Sequence, residues 1–169
     1  SGCMQNLEQQ GEGFSDWFGL MLTMRESDSP SIPRGVATYS SGQEITGDGL
    51  RNAPYSPDFS VNDYTYADSN NTATVSQPHG VGFVFATMLW DLTWAFVDEY
   101  GFDPDITNGN GGNNKVMQLI IDGLKVAPCS SGFADMRDAI ILADQLTNNG
   151  VNKCLIWNVF ANRGLGYLA

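Results

Sequence analysis

A short stretch near the beginning of the chain constrains the fold most: residues 11–24, GEGFSDWFGLMLTM. Its aromatic and aliphatic side chains predict a helix that packs into a core. Four polar or small residues nevertheless recur at helical spacing and fall on one side of that helix: Glu12, Ser15, Asp16 and Gly19. A carboxylate on a core-facing helix is costly unless it is paired, hydrogen-bonded or bound to a metal. We therefore expect a cationic partner against Glu12.

Two interpretations of these polar residues are open. In the first, Glu12 is an ordinary acidic residue in the first turn of a helix, where the helix dipole favours it. In the second, Glu12 is a zinc ligand. Asp16, one turn later, would then orient a histidine that binds the same metal.

The second interpretation agrees with a family resemblance. Residues 12–16 read E-G-F-S-D and resemble the E-x-x-S-D helix of thermolysin-like zinc peptidases. The longer run CMQNLEQQGEGFSDWFGLMLTM is similar to the fungalysin family of secreted metallopeptidases. The similarity covers nearly the whole chain, through RGVATY, RNAPYS, HGVGFVFATMLWDLTWAFVDEYGF, GNNKVMQLIIDGLKVAPC, FADMRDAIILADQ and CLIWNVFANRGLG. It implies that Glu12 binds the catalytic zinc and that Asp16 orients a histidine ligand.

One part of the family pattern does not occur in this sequence. The family takes two zinc ligands and its general base from an H-E-x-x-H helix, whereas His79 is the single histidine here. We therefore expect residues 1–169 to be one domain, the C-terminal lobe of a two-lobed catalytic domain, beginning just after that motif would have passed. Histidines from the N-terminal lobe would complete the zinc site, and the chain alone would be inactive. The alternative is a non-catalytic binding module that keeps the peptidase helices.

Two further residues are candidates for the reaction of the whole enzyme, hydrolysis of peptide bonds in proteins by metal-activated water. His79 lies in an H-G-x-G turn like that of the family, where the resemblance implies a hydrogen bond to the tetrahedral oxyanion; a lone histidine is otherwise more often structural. Arg51 resembles the arginine that holds a substrate carbonyl in thermolysin-like enzymes, and the planar guanidinium of an arginine suits that task. Its alternative is a surface arginine paired with one of many acids.

The charge of the chain limits its partners. Nineteen acidic and eight basic residues give a formal net charge of −11, which opposes binding to nucleic acids and to anionic membranes. It suits a secreted protein whose partners are a protein or peptide substrate and the N-terminal lobe. Without that lobe, we expect the exposed cleft to favour self-association.

The pattern of apolar residues predicts a mainly α fold, a bundle of about five helices with a long irregular segment after the first. Residues 31–77 are rich in turn formers, and we expect them to be ordered, with a few short strands. Five aromatic residues would anchor them: Tyr39, Tyr55, Phe59, Tyr64 and Tyr66. The predicted helices are Asn6–Glu26, one from His79 that ends at Gly101, Lys115–Val126, Phe133–Thr147 and Val151–Asn162.

Three smaller features carry expectations of their own. Asp91, in the middle of the most apolar helix, needs a partner, and a backbone group or a tyrosine is favoured. Residues 103–114, DPDITNGNGGNN, have Asp and Asn at spacings that weakly suggest calcium, although no glutamate closes the loop. A Cys129–Cys154 disulfide and two buried thiols are both open, with Cys3 unpaired.

Overall fold

The computed structural model describes Cys3 and residues 6–169. Five α-helices and one short 3-10 helix form in this part of the chain, which confirms the predicted mainly α fold with a long irregular segment after the first helix. The helices are α1 (Gly11–Thr23), α2 (His79–Tyr100), α3 (Gly112–Val126), α4 (Phe133–Asn148) and α5 (Lys153–Asn162), and the 3-10 helix is Tyr66–Asn70.

Helix α2 is the centre of the bundle. It begins at His79 and ends at Gly101, as predicted, where a φ of 75° stops the helix. Its length and composition would allow it to cross a membrane, but 83% of its most apolar window is buried inside the protein. A core helix of a folded bundle is expected to look like this because every side faces another element.

Helices α1 and α2 run in the same direction. Phe14 packs edge-on against Phe85, with ring centroids 5.6 Å apart, and further along both helices Trp17 donates from Nε1 to the Thr93 hydroxyl at 2.9 Å. The N-termini of α1 and α2 therefore lie at the same end of the bundle.

Helix α1 is shorter than predicted at both ends. The carboxylate of Glu8 accepts hydrogen bonds from the Phe133 backbone N–H at 2.9 Å and from the Tyr66 hydroxyl at 2.6 Å. These contacts hold the preceding segment against α4 and outside the helix. Burial, and secondarily Glu8, raises the pKa of Tyr66 to about 12. At the other end, Arg34 pairs with Asp28 and donates to the Thr23 carbonyl at 3.3 Å.

The disulfide joins Cys3 to Cys129, with Cα atoms 4.6 Å apart, so both cysteine alternatives are wrong. Within the described part of the chain, Cys154 is an exposed free thiol. The Asn6 side chain donates to the carbonyls of Ser130 and Ser131 at 2.7 and 3.0 Å. This contact brings the N-terminal segment to the loop after α3, and sequence spacing gives no sign of it.

The irregular segment is ordered, as predicted, but the prediction that it contains a few short strands is wrong. Among the described residues its only β contacts are two isolated bridges, Arg34 with Tyr55 and Val36 with Gly49. Tyr39 is 98% exposed and anchors nothing. The other four aromatic residues contact the rest of the fold, as predicted: Tyr55 and Tyr64 on Phe83, Tyr66 on Phe133, and Phe59 beneath the Arg163 guanidinium.

Asp91 pairs with an arginine, so the expectation of a backbone or tyrosine partner is wrong. Arg163, fully buried after α5, donates to both Asp91 oxygens at 2.6 and 3.2 Å. Its remaining N–H groups reach the carbonyls of Ser56, Asn62 and Tyr64 at 2.5 to 3.2 Å. Burial raises the pKa of Asp91, and Arg163 offsets part of that effect. One side chain thus joins α2, α5 and the irregular segment.

Replacing this arginine tests how much the fold depends on it. Arg163→Met leaves Asp91 buried without its partner, and we expect a loss of about 3–5 kcal/mol in the free energy of unfolding. The measurement is urea denaturation followed by tryptophan fluorescence. Arg25, which is exposed, provides the control, since Arg25→Met should change stability by less than about 0.5 kcal/mol. Equal effects of the two changes would contradict this role for Arg163.

Candidate active site

A close contact between two glycines sets the relative position of α1 and α2 at their N-terminal ends. A Cβ atom built on Gly13 would lie 2.1 Å from the Gly82 carbonyl oxygen, and one on Gly82 would lie 2.5 Å from the Gly13 nitrogen. The two backbones therefore touch without a side chain between them, which only glycine allows. Glu12 and His79, near the starts of the two helices, come together as a result.

Glu12 and His79 form one pair of candidate residues. The His79 Nδ1 atom lies 3.1 Å from Glu12 Oε2, and the two side chains are 57% and 42% exposed. Glu12 was expected to have a cationic partner in a core. In the described residues its partner is this imidazole, which is cationic only when protonated, and the pair faces solvent.

Asp16, one turn after Glu12, has a very different environment. It is 5% exposed and receives three hydrogen bonds. Arg51 donates from Nε to Oδ2 at 2.5 Å and from Nη2 to Oδ1 at 2.8 Å. The hydroxyl of Tyr55 donates to Oδ2 at 2.6 Å. A bidentate arginine and a phenol therefore hold this carboxylate in one orientation.

Arg51 is paired with an acid, as one of its two interpretations required, but it is not a surface pair. Its side chain is only 13% exposed, and hydrogen bonding to Asp16 raises the pKa of its guanidinium. Nε and Nη2 are occupied by Asp16, whereas the single contact of Nη1 among the described residues is a long one, 3.5 Å, to the Leu50 carbonyl. Nη1 therefore has no short hydrogen bond among the described residues.

The irregular segment brings Arg51 and Tyr55 to α1 through its two bridges. Gly49 adopts a φ of 68° beside Val36, where an added Cβ would lie 1.9 Å from the Val36 carbonyl oxygen. Directly after Arg51, Asn52 donates from Nδ2 to the Thr74 carbonyl at 2.7 Å. The loop that carries Arg51 is thereby tied to the turn that leads into His79.

Tyr55 and Asn52 are the site residues that sequence reasoning missed. Tyr55 was predicted only as an aromatic anchor, because no local pattern indicates a contact with a residue 39 positions earlier. Burial, reinforced by the charge of Asp16, raises the pKa of Tyr55 well above its ordinary value. Its hydroxyl therefore keeps its proton and acts as a donor.

The four polar or small residues on one side of α1, Glu12, Ser15, Asp16 and Gly19, do not all face the core. Asp16 is buried, whereas Ser15 and Gly19 are exposed and Leu22 beside them is 67% exposed. No heavy atom lies within 4 Å of a Cβ built on Gly19. The expectation that this side of the helix faces a core is therefore correct for Asp16 and wrong for Ser15 and Gly19. These two residues form an exposed helix face next to Glu12.

The described residues do not contain a complete metal site. No group of three His, Cys, Asp or Glu side chains is arranged in them to hold a metal ion. In the loop at 103–114, Asp103 and Asp105 accept hydrogen bonds from backbone N–H groups at 2.9 to 3.1 Å. Those bonds lower the pKa of Asp105. Asp103 and Asp105 therefore stabilise turns of the backbone, and calcium binding by this loop stays a prediction.

A cavity of about 670 Å³ lies at the opposite end of α2, between Tyr100, α3 and the turn before α5. A helix of the length of α2, His79–Tyr100, spans about 30 Å at a rise of about 1.5 Å per residue. None of the predicted site residues lines this cavity. We place the candidate active site at Glu12 and His79, near the Asp16–Arg51 pair, rather than at this cavity.

Comparison with known proteins shows which family the sequence matches. A family model described as "Fungalysin metallopeptidase (M36)" matches residues 1–169. The chain is 37% identical to "Extracellular metalloproteinase 2" of Arthroderma gypseum and of Trichophyton tonsurans, covering 98% of this chain and 27% of each relative. It is also 37% identical to "Extracellular metalloproteinase 3" of Arthroderma otae, covering 99% of this chain. The chain spans about a quarter of the length of these relatives.

Two glycines in α1 provide a test of the helix contact. Gly13→Ala places a methyl group against the Gly82 backbone, and we expect a loss of about 1–3 kcal/mol in the free energy of unfolding. Gly19→Ala enters open space, so it should stabilise the chain by up to about 1 kcal/mol through helix propensity. Denaturation curves of the two variants decide the point. If Gly13→Ala were as stable as Gly19→Ala, the backbone contact would not set the position of α1.

Proposed function

This chain belongs to the fungalysin metallopeptidase family, and on that premise we propose that it is the C-terminal lobe of the catalytic domain of a secreted zinc endopeptidase. The observation that carries the proposal is the convergence of Glu12, Asp16, His79 and Arg51 at one end of the bundle. These residues come from two helices and an irregular loop, and they include a carboxylate in contact with an imidazole and a carboxylate in contact with a guanidinium. The names of the relatives, extracellular metalloproteinases, support secretion and proteolysis of the parent protein.

Glu12 fits the role of a zinc ligand. Its side chain is 42% exposed at the N-terminal end of α1, and its ion-pair partner among the described residues is a histidine rather than an arginine or lysine. Carboxylate oxygen is a common zinc ligand beside histidine nitrogen. Since the described residues contain no set of three metal ligands, the remaining ligands would come from histidines in other parts of the parent.

Asp16 would hold one of those histidines in place. Metal-binding histidines usually donate their second ring N–H to a carboxylate or a carbonyl, which fixes the orientation of the ring. Asp16 lies one helical turn from Glu12, and Arg51 and Tyr55 already fix its orientation. A carboxylate held in this way is suited to orient a partner.

His79 and Arg51 would act on the substrate. His79 is more than half exposed and is the first residue of α2. There its imidazole is placed to donate a hydrogen bond to the negative oxygen that develops on the attacked peptide carbonyl. Arg51 keeps Nη1 available while Asp16 fixes its other nitrogens, so it can bind a second carbonyl of the peptide. The chemistry that zinc supplies in such a site is activation of water for attack on the peptide bond.

The exposed face of α1 would receive the N-terminal lobe. Ser15, Gly19 and Leu22 lie open beside Glu12, and small residues let another helix approach closely. The covering element would bring the zinc-binding histidines to Glu12. The same uncovered face would let the isolated chain associate with itself.

The first test of this proposal is a zinc titration of the 169-residue chain. A peptidase site needs three protein ligands, and this chain is proposed to supply only Glu12. We therefore expect no tight one-to-one binding by calorimetry. A submicromolar site that disappears in Glu12→Gln would contradict the proposal, because it would show a complete site within the chain.

The second test separates the roles of three residues in the full-length parent. Glu12→Ala should lose both zinc and activity, since it removes a ligand. His79→Ala should keep zinc but lower turnover by about a hundredfold to a thousandfold, because the imidazole touches only the transition state. Asp16→Ala should weaken zinc binding or activity by about tenfold to a hundredfold. Zinc content and turnover are measured for each variant.

One pattern of results would refute these roles. If His79→Ala lost its zinc while Glu12→Ala kept both metal and activity, the ligand and the oxyanion donor would have been exchanged. Circular dichroism of each variant provides the control that the helices remain folded.

A further inference from the structure

The carboxylate of Asp16 has almost no free hydrogen-bonding capacity. Two carboxylate oxygens offer about four acceptor positions. Oδ2 accepts from Arg51 Nε at 2.5 Å and from the Tyr55 hydroxyl at 2.6 Å, which fills both of its positions. Among the described residues, the one donor to Oδ1 is Arg51 Nη2, at 2.8 Å. A further donor can therefore be accommodated at Oδ1 and not at Oδ2.

Tyr55 is held firmly enough to impose this choice. Its side chain is fully buried, and its ring packs on Phe83 with centroids 5.3 Å apart. Its backbone exchanges two hydrogen bonds with Arg34, at 2.9 and 2.8 Å. Because burial raises the pKa of the phenol well above its ordinary value, the hydroxyl remains a donor throughout the physiological range.

We infer that Tyr55 is a positioning residue of the metal site, which directs the incoming histidine N–H to the Oδ1 oxygen of Asp16. Tyr55 occupies the second position of Oδ2, so the histidine has a single place to donate. Without the hydroxyl, the carboxylate would offer one position on each oxygen, and the ring of the histidine would no longer be held in one orientation. This inference rests on the proposed function, since it assigns Asp16 a histidine partner.

The test is the zinc dissociation constant of Tyr55→Phe in the full-length parent, measured by competition with a chromophoric chelator. Loss of groups that orient a metal ligand commonly weakens affinity by about tenfold or more, and we expect about tenfold here. Tyr66→Phe is the matched control. It also removes a 2.6 Å tyrosine–carboxylate hydrogen bond, but the carboxylate is that of Glu8, which precedes α1 and is also bonded to the Phe133 backbone N–H. Its zinc dissociation constant should stay within about twofold of the parent value.

A double variant distinguishes positioning from a general structural effect. If Tyr55 acts through Asp16, adding Tyr55→Phe to Asp16→Asn should change the zinc dissociation constant by less than about twofold. The Asp16 carboxylate through which Tyr55 acts is already absent from Asp16→Asn. The double variant is compared with Asp16→Asn, because both lack the Asp16 charge and the Tyr55 hydroxyl is then the single difference between them. The inference is overturned if Tyr55→Phe binds zinc like the parent, if Tyr66→Phe loses as much affinity, or if the two changes add.

Glu12→Gln separates this inference from the proposed function. If Glu12→Gln binds zinc as tightly as the parent, the proposed metal site is wrong and the inference falls with it. If Glu12→Gln loses zinc and Tyr55→Phe does not, the metal site stands and only the role of Tyr55 is wrong.

Discussion

One buried arginine, Arg163, holds the irregular segment against the helices. The irregular segment has no sheet to satisfy its backbone carbonyls, and a buried carbonyl without a donor is costly. Arg163 donates to three of them while pairing with Asp91 in the centre of α2. Its five N–H donors and permanent charge suit this task, which a lysine could not perform in the same geometry. The residue that follows α5 thus fixes a segment about one hundred positions earlier in the chain.

The helices could be predicted from sequence because their signals are local. Apolar spacing located all five, and Gly101 marked the end of α2 correctly. The errors concern contacts between distant residues. Cys3 pairs with Cys129 and Asp91 with Arg163. Neither pair produces a periodic pattern in the sequence from which it could be predicted. The start of α1 was misplaced for the same reason, since Glu8 is drawn out of the helix by its contacts with α4 and Tyr66.

The residues of the candidate site were named from the sequence, and their roles stay a prediction; their arrangement could not be deduced. Glu12, Asp16, His79 and Arg51 were all identified from the residues that carry the family resemblance. That Asp16 and Arg51 form a bidentate pair could not be deduced, because the intervening loop has no regular structure to fix their distance. Tyr55 illustrates the same limit. It was predicted as an aromatic anchor, while its hydrogen bond to Asp16 depends on the two isolated bridges that fold the segment back onto α1.

The meeting of Gly13 and Gly82 has a mechanical consequence. Most helix crossings are cushioned by side chains that can change rotamer, so the two axes can slide past each other by small amounts. Here backbone atoms are in direct contact, so α1 cannot come closer to α2 at this point without steric overlap. We expect the separation of the two helices to vary least at this contact and more toward their far ends. Glu12 and His79 lie close to this contact, where the expected displacement is smallest.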